Sequence, residues 1–124
     1  MKKRVLIVED DQVQIKFFEK IVSQVAVNSV MVNSGNEALE YLKYNNDIGL
    51  VLLDLALSDM HGLEVLEKIK ELNNQLVVAI LSASEDSKVV LKAGQLGAAE
   101  FFVKGSDTKE LMRLFEFIHN VINQ

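Results

Sequence analysis

The chain is predicted to be an α/β protein, with a doubly wound five-stranded parallel sheet between helices in a three-layer α/β/α sandwich. Three observations carry that reading. Strand-like and helix-like segments alternate five times along the 124 residues, the rhythm of successive βαβ units. The strand-like segments are short unbroken apolar runs, such as Val5-Leu6-Ile7-Val8 and Leu50-Val51-Leu52-Leu53, as in strands buried on both faces. Four of them stop abruptly at a polar residue: Glu9-Asp10-Asp11 after the first, Asp54 after the third, Ser82 after the fourth and Lys104 after the fifth. Right-handed crossovers then put helices on both faces. In a doubly wound sheet of order 2-1-3-4-5 the first and third strands are neighbours.

Each element follows from its local pattern. The first strand is read over residues 4–8, and a helix over about 11–25 has Val13, Phe17, Ile21 and Val25 at every fourth position. Residues 29–32 form a weaker strand, expected at an edge. Ser34-Gly35-Asn36-Glu37 has the capping-box spacing, with Ser at the cap and Glu three later, and opens a helix to about Tyr44 with Ala38, Leu39 and Leu42 inward. The third strand is read over 50–53, and Gly62 starts a helix with Leu66, Ile69 and Leu72 on one face. The fourth strand, 76–81, precedes a helix over about 85–96 that buries Val89, Ala93 and Leu96. The fifth strand is read over 99–103. The last helix, from about Asp107, carries Leu111, Leu114, Phe115, Ile118, Val121 and Ile122 at helical spacing.

Bulk properties bound the function. A content of 49% hydrophobic and 25% charged residues is that of an ordinary globular domain, and 124 residues suffice for one core. The net charge of −5 gives no support for nucleic-acid binding by this domain. With no cysteine there is no disulfide, zinc-thiolate or thiol chemistry. The first apolar run is too short for a signal-peptide core or a membrane span, so a cytoplasmic protein is expected. Proline is absent and the six glycines are scattered; no linker, repeat or composition shift marks a boundary.

The carboxyl edge of an open α/β sheet is where ligands and chemistry sit. A carboxylate at a strand end can attack phosphorus and become an acyl phosphate, provided its repulsion from the incoming phosphoryl group is neutralised. A Mg²⁺ ion held by one or two acids does this. Asp10 and Glu9 on one strand end and Asp54 on its neighbour supply the acids, while the Ser82 hydroxyl and Lys104 ammonium are donors suited to phosphoryl oxygens.

At these residues the chain resembles the receiver domains of two-component response regulators, with the flavodoxin-like, CheY-like fold. Val8-Glu9-Asp10 looks like the family's acidic pair. Asp54 stands where the phosphoacceptor stands, with Gly62 eight residues later. Leu81-Ser82-Ala83 matches the switch hydroxyl and the small residue after it, and Phe101 the switch aromatic three residues before Lys104. Five matches in order, each tied to a strand end, form a specific signal. The resemblance covers residues 1–124, which are expected to form a single receiver domain. It implies that Asp10 binds Mg²⁺ directly and Glu9 mainly through water. Asp54 is then both ligand and nucleophile, and Ala56 lends its backbone carbonyl. It also implies a sensor histidine kinase or phosphotransfer protein as donor, an output domain or protein engaged through the fourth helix, fifth strand and fifth helix, and switching through Ser82 and Phe101. The only reactions expected are the domain's own phosphorylation and slow dephosphorylation.

Three positions depart from the family pattern. Gly105 stands where proline often follows the lysine with a cis bond; a cis Lys104–Gly105 bond would cost roughly 2.5–4 kcal/mol, so a trans bond or a compensating loop is expected. Ser58 replaces a common proline and Ala56 a common polar residue. Other readings compete. A Mg²⁺-dependent aspartyl-phosphate phosphohydrolase would want an acid two residues after the nucleophile, where Ala56 stands. A pseudo-receiver binding module would lack catalytic groups that are present here. A flavodoxin-like cofactor binder would want a Gly-rich loop after the first strand. Residue by residue, Ser82 alone would read as a turn residue and Phe101 as core. His61 reads as an exposed loop histidine and not a general base, His119 as surface, and Met60 and Met112 as packing residues.

Overall fold

Five strands, β1 (Arg4–Val8), β2 (Ser29–Val32), β3 (Ile48–Asp54), β4 (Val77–Ser82) and β5 (Glu100–Val103), form one sheet in the order β2-β1-β3-β4-β5. Every neighbouring pair is parallel. The computed structural model describes residues 3–105 and 108–124. The helices are α1 (Gln12–Gln24), α2 (Gly35–Tyr44), α3 (Gly62–Leu72), α4 (Ser87–Gln95) and α5 (Thr108–Ile122). The expected start of α5 at Asp107 lies outside the described residues.

Strand side chains alternate between faces, and this builds two cores. Leu6, Val8, Val51, Leu53, Val78 and Ile80 face α2, α3 and α4, packing on Ala38, Val65, Leu66, Ile69 and Ala93. Val5, Ile7, Leu50, Leu52, Ala79, Leu81 and Phe102 face α1 and α5, packing on Phe18, Ile21, Val22, Leu114, Ile118 and Ile122. β1, β3 and β4 thus have apolar side chains buried on both sides, which explains their continuous apolar runs. Each fully buried Leu, Ile or Phe contributes about 1.5–3 kcal/mol relative to exposure, so the centre of the sheet is the most strongly held part of the molecule.

The inward face of α1 differs from the expected one. Its buried residues are Ile15, Phe18, Ile21 and Val22, while Val13 is 73% and Phe17 39% exposed. At 3.6 residues per turn, twelve residues of four-residue spacing turn through about 120° around the axis, so Val13 and Val25 cannot share a face. Leu72, expected inward on α3, is 47% exposed as the last residue of that helix, and Met112, expected to pack, is 52% exposed, off the α5 stripe of Leu114, Ile118 and Ile122. In α4 only Ala93 is buried, with Val89 and Leu96 half-covered. β3 begins two residues earlier than expected, at Ile48.

Caps settle the helix starts. The Asp11 carboxylate accepts from the Val13 and Gln14 amides at 2.8 and 3.2 Å, so Asp11 rather than Asp10 caps α1. Ser34 Oγ accepts from the Glu37 amide at 3.0 Å, but the Glu37 carboxylate takes the Asn33 amide, one residue before the cap. Gly62 opens α3 where a Cβ would lie 2.5 Å from Leu55 Cα and 2.7 Å from the Asp54 carbonyl oxygen, a space no side chain can share.

Candidate functional site

The strand ends converge as their register dictates. Val8 pairs with Leu53 and Leu81 with Asp54, so Glu9, one residue past β1, comes level with Asp54 at the end of β3. Ser82, the last residue of β4, pairs with Val103, and its carbonyl accepts the Lys104 amide at 2.7 Å. Alternation then sorts the side chains. Glu9, Asp54 and Lys104 continue the parity of Ile7, Leu52 and Phe102 and belong to the α1–α5 side. Ser82 and Phe101 carry the opposite parity, with Ile80 on the α3–α4 side.

The sequence-predicted acids and the lysine come together. Glu9 is fully buried and Asp54 is 5% exposed, and Lys104 Nζ lies 2.9 Å from Glu9 Oε1 and 3.1 Å from Asp54 Oδ1. The ammonium also stands over the Phe18 ring, 5.9 Å from its centroid, an additional favourable contact for a cation. Buried charges are tolerated only when paired, and this lysine is the partner of both carboxylates. Burial pushes the Glu9 carboxyl above the usual carboxylate range, the adjacent Asp54 pushes it further, and the Lys104 ammonium pulls it back.

Asp10 completes the cluster. Oxygens of Glu9, Asp10 and Asp54 lie within 4.8 Å of one another. Three carboxylates against one ammonium leave two negative charges when all are ionised, the complement of a divalent cation. A wholly oxygen donor set suits a hard cation such as Mg²⁺, so the residues present fit the metal. Asp10 Oδ2 also accepts the Ser58 amide at 2.9 Å, and Asp54 Oδ1 accepts the Ala56 amide at 3.3 Å.

Ser82 Oγ, in a nearly buried side chain, accepts the Ser84 amide at 3.2 Å. Phe101 is half-buried against the core under α3 and α4. Ala56 is exposed and pairs with His61 in an isolated antiparallel bridge. Together with Met60, Ser82 and Ser84 these residues border an open depression of about 500 Å³. His61 is exposed, and its Nδ1 accepts the Leu63 amide at 3.1 Å, so it caps α3. The Lys104–Gly105 bond is trans, with Gly105 at φ +72°, a conformation closed to proline and open to glycine.

Two ties escaped the sequence reading. Asp59 accepts the Gly35 and Asn36 amides at 3.0 and 2.9 Å, joining the 55–61 loop to the start of α2. The Ser58 amide joins the same loop to Asp10. All three bonds span more than 20 residues, and no local pattern signals them.

A family model for the response regulator receiver domain matches residues 5–116. The chain belongs to the receiver family. Receiver domains are the phosphoacceptor switches of two-component systems, and they bind Mg²⁺ in an acidic pocket. This receiver is 34% identical to the two-component response regulator ARR12 of Arabidopsis thaliana over 93% of its length, covering 19% of that protein. It is 34% identical to the Regulator of RpoS of Escherichia coli K12 over 94% of its length, covering 34% of it. It therefore spans a fifth to a third of these relatives. The signal receiver domain of a putative Luxo repressor protein from Vibrio parahaemolyticus has the same fold, with a TM-score of 0.86 and 25% identity over 99% of this chain and 92% of that one. Among the described residues no helix is long and apolar enough to cross a membrane.

Proposed function

We propose that this receiver is switched by phosphorylation at Asp54, and that residues 1–124 act as one signalling domain. The single observation that carries the assignment is Lys104 Nζ between the buried Glu9 and Asp54 carboxylates, with Asp10 beside them. An Asp54 oxygen attacks the phosphorus of a phosphohistidine on a sensor kinase or phosphotransfer protein. As the phosphorus–oxygen bond forms, the phosphorus–nitrogen bond breaks and the donor imidazole keeps the electron pair. Asp10, Asp54 and the Ala56 carbonyl would hold Mg²⁺, with Glu9 acting mainly through water; the bound ion supplies neutralisation of the charge between carboxylate and phosphoryl oxygens. Lys104 exchanges its Asp54 contact for a phosphoryl oxygen, and the Ser82 hydroxyl donates to another.

Ser82 and Phe101 then bias a two-state equilibrium. Drawing Ser82 toward the phosphoryl group frees the Ser84 amide it now holds, at the start of the segment leading into α4. The output surface is α4, β5 and α5, supported by the exposed apolar side chains Leu91 on α4 and Met112 on α5. It would engage an output domain or protein. The domain works in the cytoplasm, makes no direct nucleic-acid or membrane contact, and catalyses only its own phosphorylation and slow dephosphorylation.

Mass spectrometry after incubation with a small acyl phosphate and Mg²⁺ tests this. Wild type is expected to gain one phosphoryl adduct and Asp54→Asn none. A surviving adduct on Asp54→Asn would assign the nucleophile elsewhere.

A further inference from the structure

We infer that the backbone amide of Ser58 is a positioning donor for Mg²⁺ binding: its bond to Asp10 Oδ2 aims the other Asp10 oxygen at the carboxylate cluster. This rests on the proposed metal site and adds a determinant of its affinity. Asp10 is the second residue past β1, and its neighbour Asp11 turns away to cap α1. Asp10 is half-exposed, whereas Glu9 and Asp54 are held by burial and by Lys104. The Ser58 amide at 2.9 Å is therefore what orients this carboxylate.

The loop that carries the amide is itself anchored. Asp59, the next residue, takes the Gly35 and Asn36 amides, Ala56 pairs with His61, and the Gly62 amide donates to the Leu55 carbonyl at 2.9 Å. A donor fixed at both sides can hold a carboxylate at a set angle. A carboxylate has two oxygens and about four acceptor positions, so one amide leaves a full oxygen for a cation. Hydrogen bonds behind metal ligands typically change affinity by about 10–100-fold, and this one is partly solvated, which places it at the low end. Proline, common at this position in the family, has no N–H, so this tie is open to a chain such as this one that carries Ser58 there.

The test is a Mg²⁺ titration by calorimetry on wild type, Asp10→Ala, Ser58→Ala and Ser58→Pro, with far-ultraviolet circular dichroism confirming that each is folded. Ser58→Ala keeps the amide and is expected to bind as wild type does; Ser58→Pro is expected to bind roughly tenfold more weakly. Equal or tighter binding by folded Ser58→Pro overturns the inference. Failure of wild type to bind Mg²⁺, or unchanged binding by Asp10→Ala, overturns the metal site itself, and so separates the two. A second measurement needs no proline. In wild type the Ser58 amide proton is expected to stay downfield and protected when Mg²⁺ saturates the site, and in metal-free Asp10→Ala to move upfield. A wild-type amide that moves to the Asp10→Ala position on adding Mg²⁺ would mean that the cation competes with Ser58, and would overturn the proposal.

Discussion

The carboxyl edge of the sheet is built in two ways on its two sides. On the α1–α5 side Glu9, Asp54 and Lys104 form a buried ion cluster over Phe18, and α1 and α5 cover that face of the sheet with Phe18, Ile21, Val22, Leu114 and Ile118. On the α3–α4 side Ser82 holds one backbone amide and Phe101 is only half-buried. Next to them α3 buries Gly62, Val65, Leu66 and Ile69, whereas α4 buries Ala93 alone. Charges must be held still to be tolerated in a low-dielectric site, while an element that changes position must have little to lose by moving. The proposed chemistry therefore sits where the charges are buried and paired, and the proposed response begins where α4 is loosely packed.

The contrast between the two sides depends most on Lys104. Lys104→Ala leaves two buried carboxylates facing each other, and removing one partner of a buried ion cluster costs about 3–5 kcal/mol. With the Lys104 side chain 13% exposed, a loss of about 2–3 kcal/mol is expected in urea unfolding without metal. Saturating Mg²⁺ should restore part of it, because the cation takes over the neutralisation. An equal loss with and without Mg²⁺ would mean that Lys104 is held by packing and not by charge.

A smaller effect concerns lifetime. Ala56 and Ser84 border the open depression beside Asp54, and alanine can neither donate to nor accept from a water. One positioning hydrogen bond is worth about 1 kcal/mol, somewhat under tenfold in rate. Ala56→Asn is expected to shorten the phosphorylated lifetime several-fold, measured as decay after donor removal, with little change in Mg²⁺ affinity. Equal decay in both proteins would remove position 56 from control of water access.

On the responsive side Ser82→Ala removes one acceptor, and a loss of about 0.5–1 kcal/mol is expected. The decisive readout is the amide shifts of α4 on phosphorylation, which should shrink. A stability loss as large as that of Lys104→Ala would erase the contrast between the sides.

The smallest effect is at Asp59. The Gly35 amide, and then that of Asn36, hold its carboxyl below the usual range. A depressed carboxyl contributes stability that is present above its unfolded pKa of about 3.9 and lost as pH falls through the folded value. Asp59→Asn should therefore flatten the unfolding midpoint slightly between neutral pH and pH about 3. An unchanged slope would show that the tie to α2 carries no charge component.

The strand ends were legible because a buried parallel strand must be apolar throughout, so the first polar residue marks where each side chain leaves the core: Glu9, Asp54, Ser82 and Lys104. The phase of α1 was not, because Val13-Phe17-Ile21-Val25 and Ile15-Phe18-Val22 are interleaved apolar series and only the sheet chooses between them. Adjacent acids satisfy the same cap rule, so only the observed Asp11 bonds separate Asp11 from Asp10 as the cap of α1. The Ser58 and Asp59 ties depend on loops that meet only after folding.

Phe101 and Phe102 are consecutive, yet they pack into opposite cores. Phe102 is pressed between the Arg113 guanidinium, 4.2 Å from its ring centroid, and the Phe117 ring at 5.6 Å. Arg113 in turn donates to the Phe101 carbonyl at 3.0 Å. The edge strand thus seats one aromatic ring on each side of the sheet. A turn of Phe101 about its own side-chain bonds is free to happen alone, but one that tilts the backbone must lift Phe102 from its cation and ring. In the proposed switch, how abruptly Phe101 responds is therefore open to tuning at Arg113, on the opposite side of the sheet from Phe101.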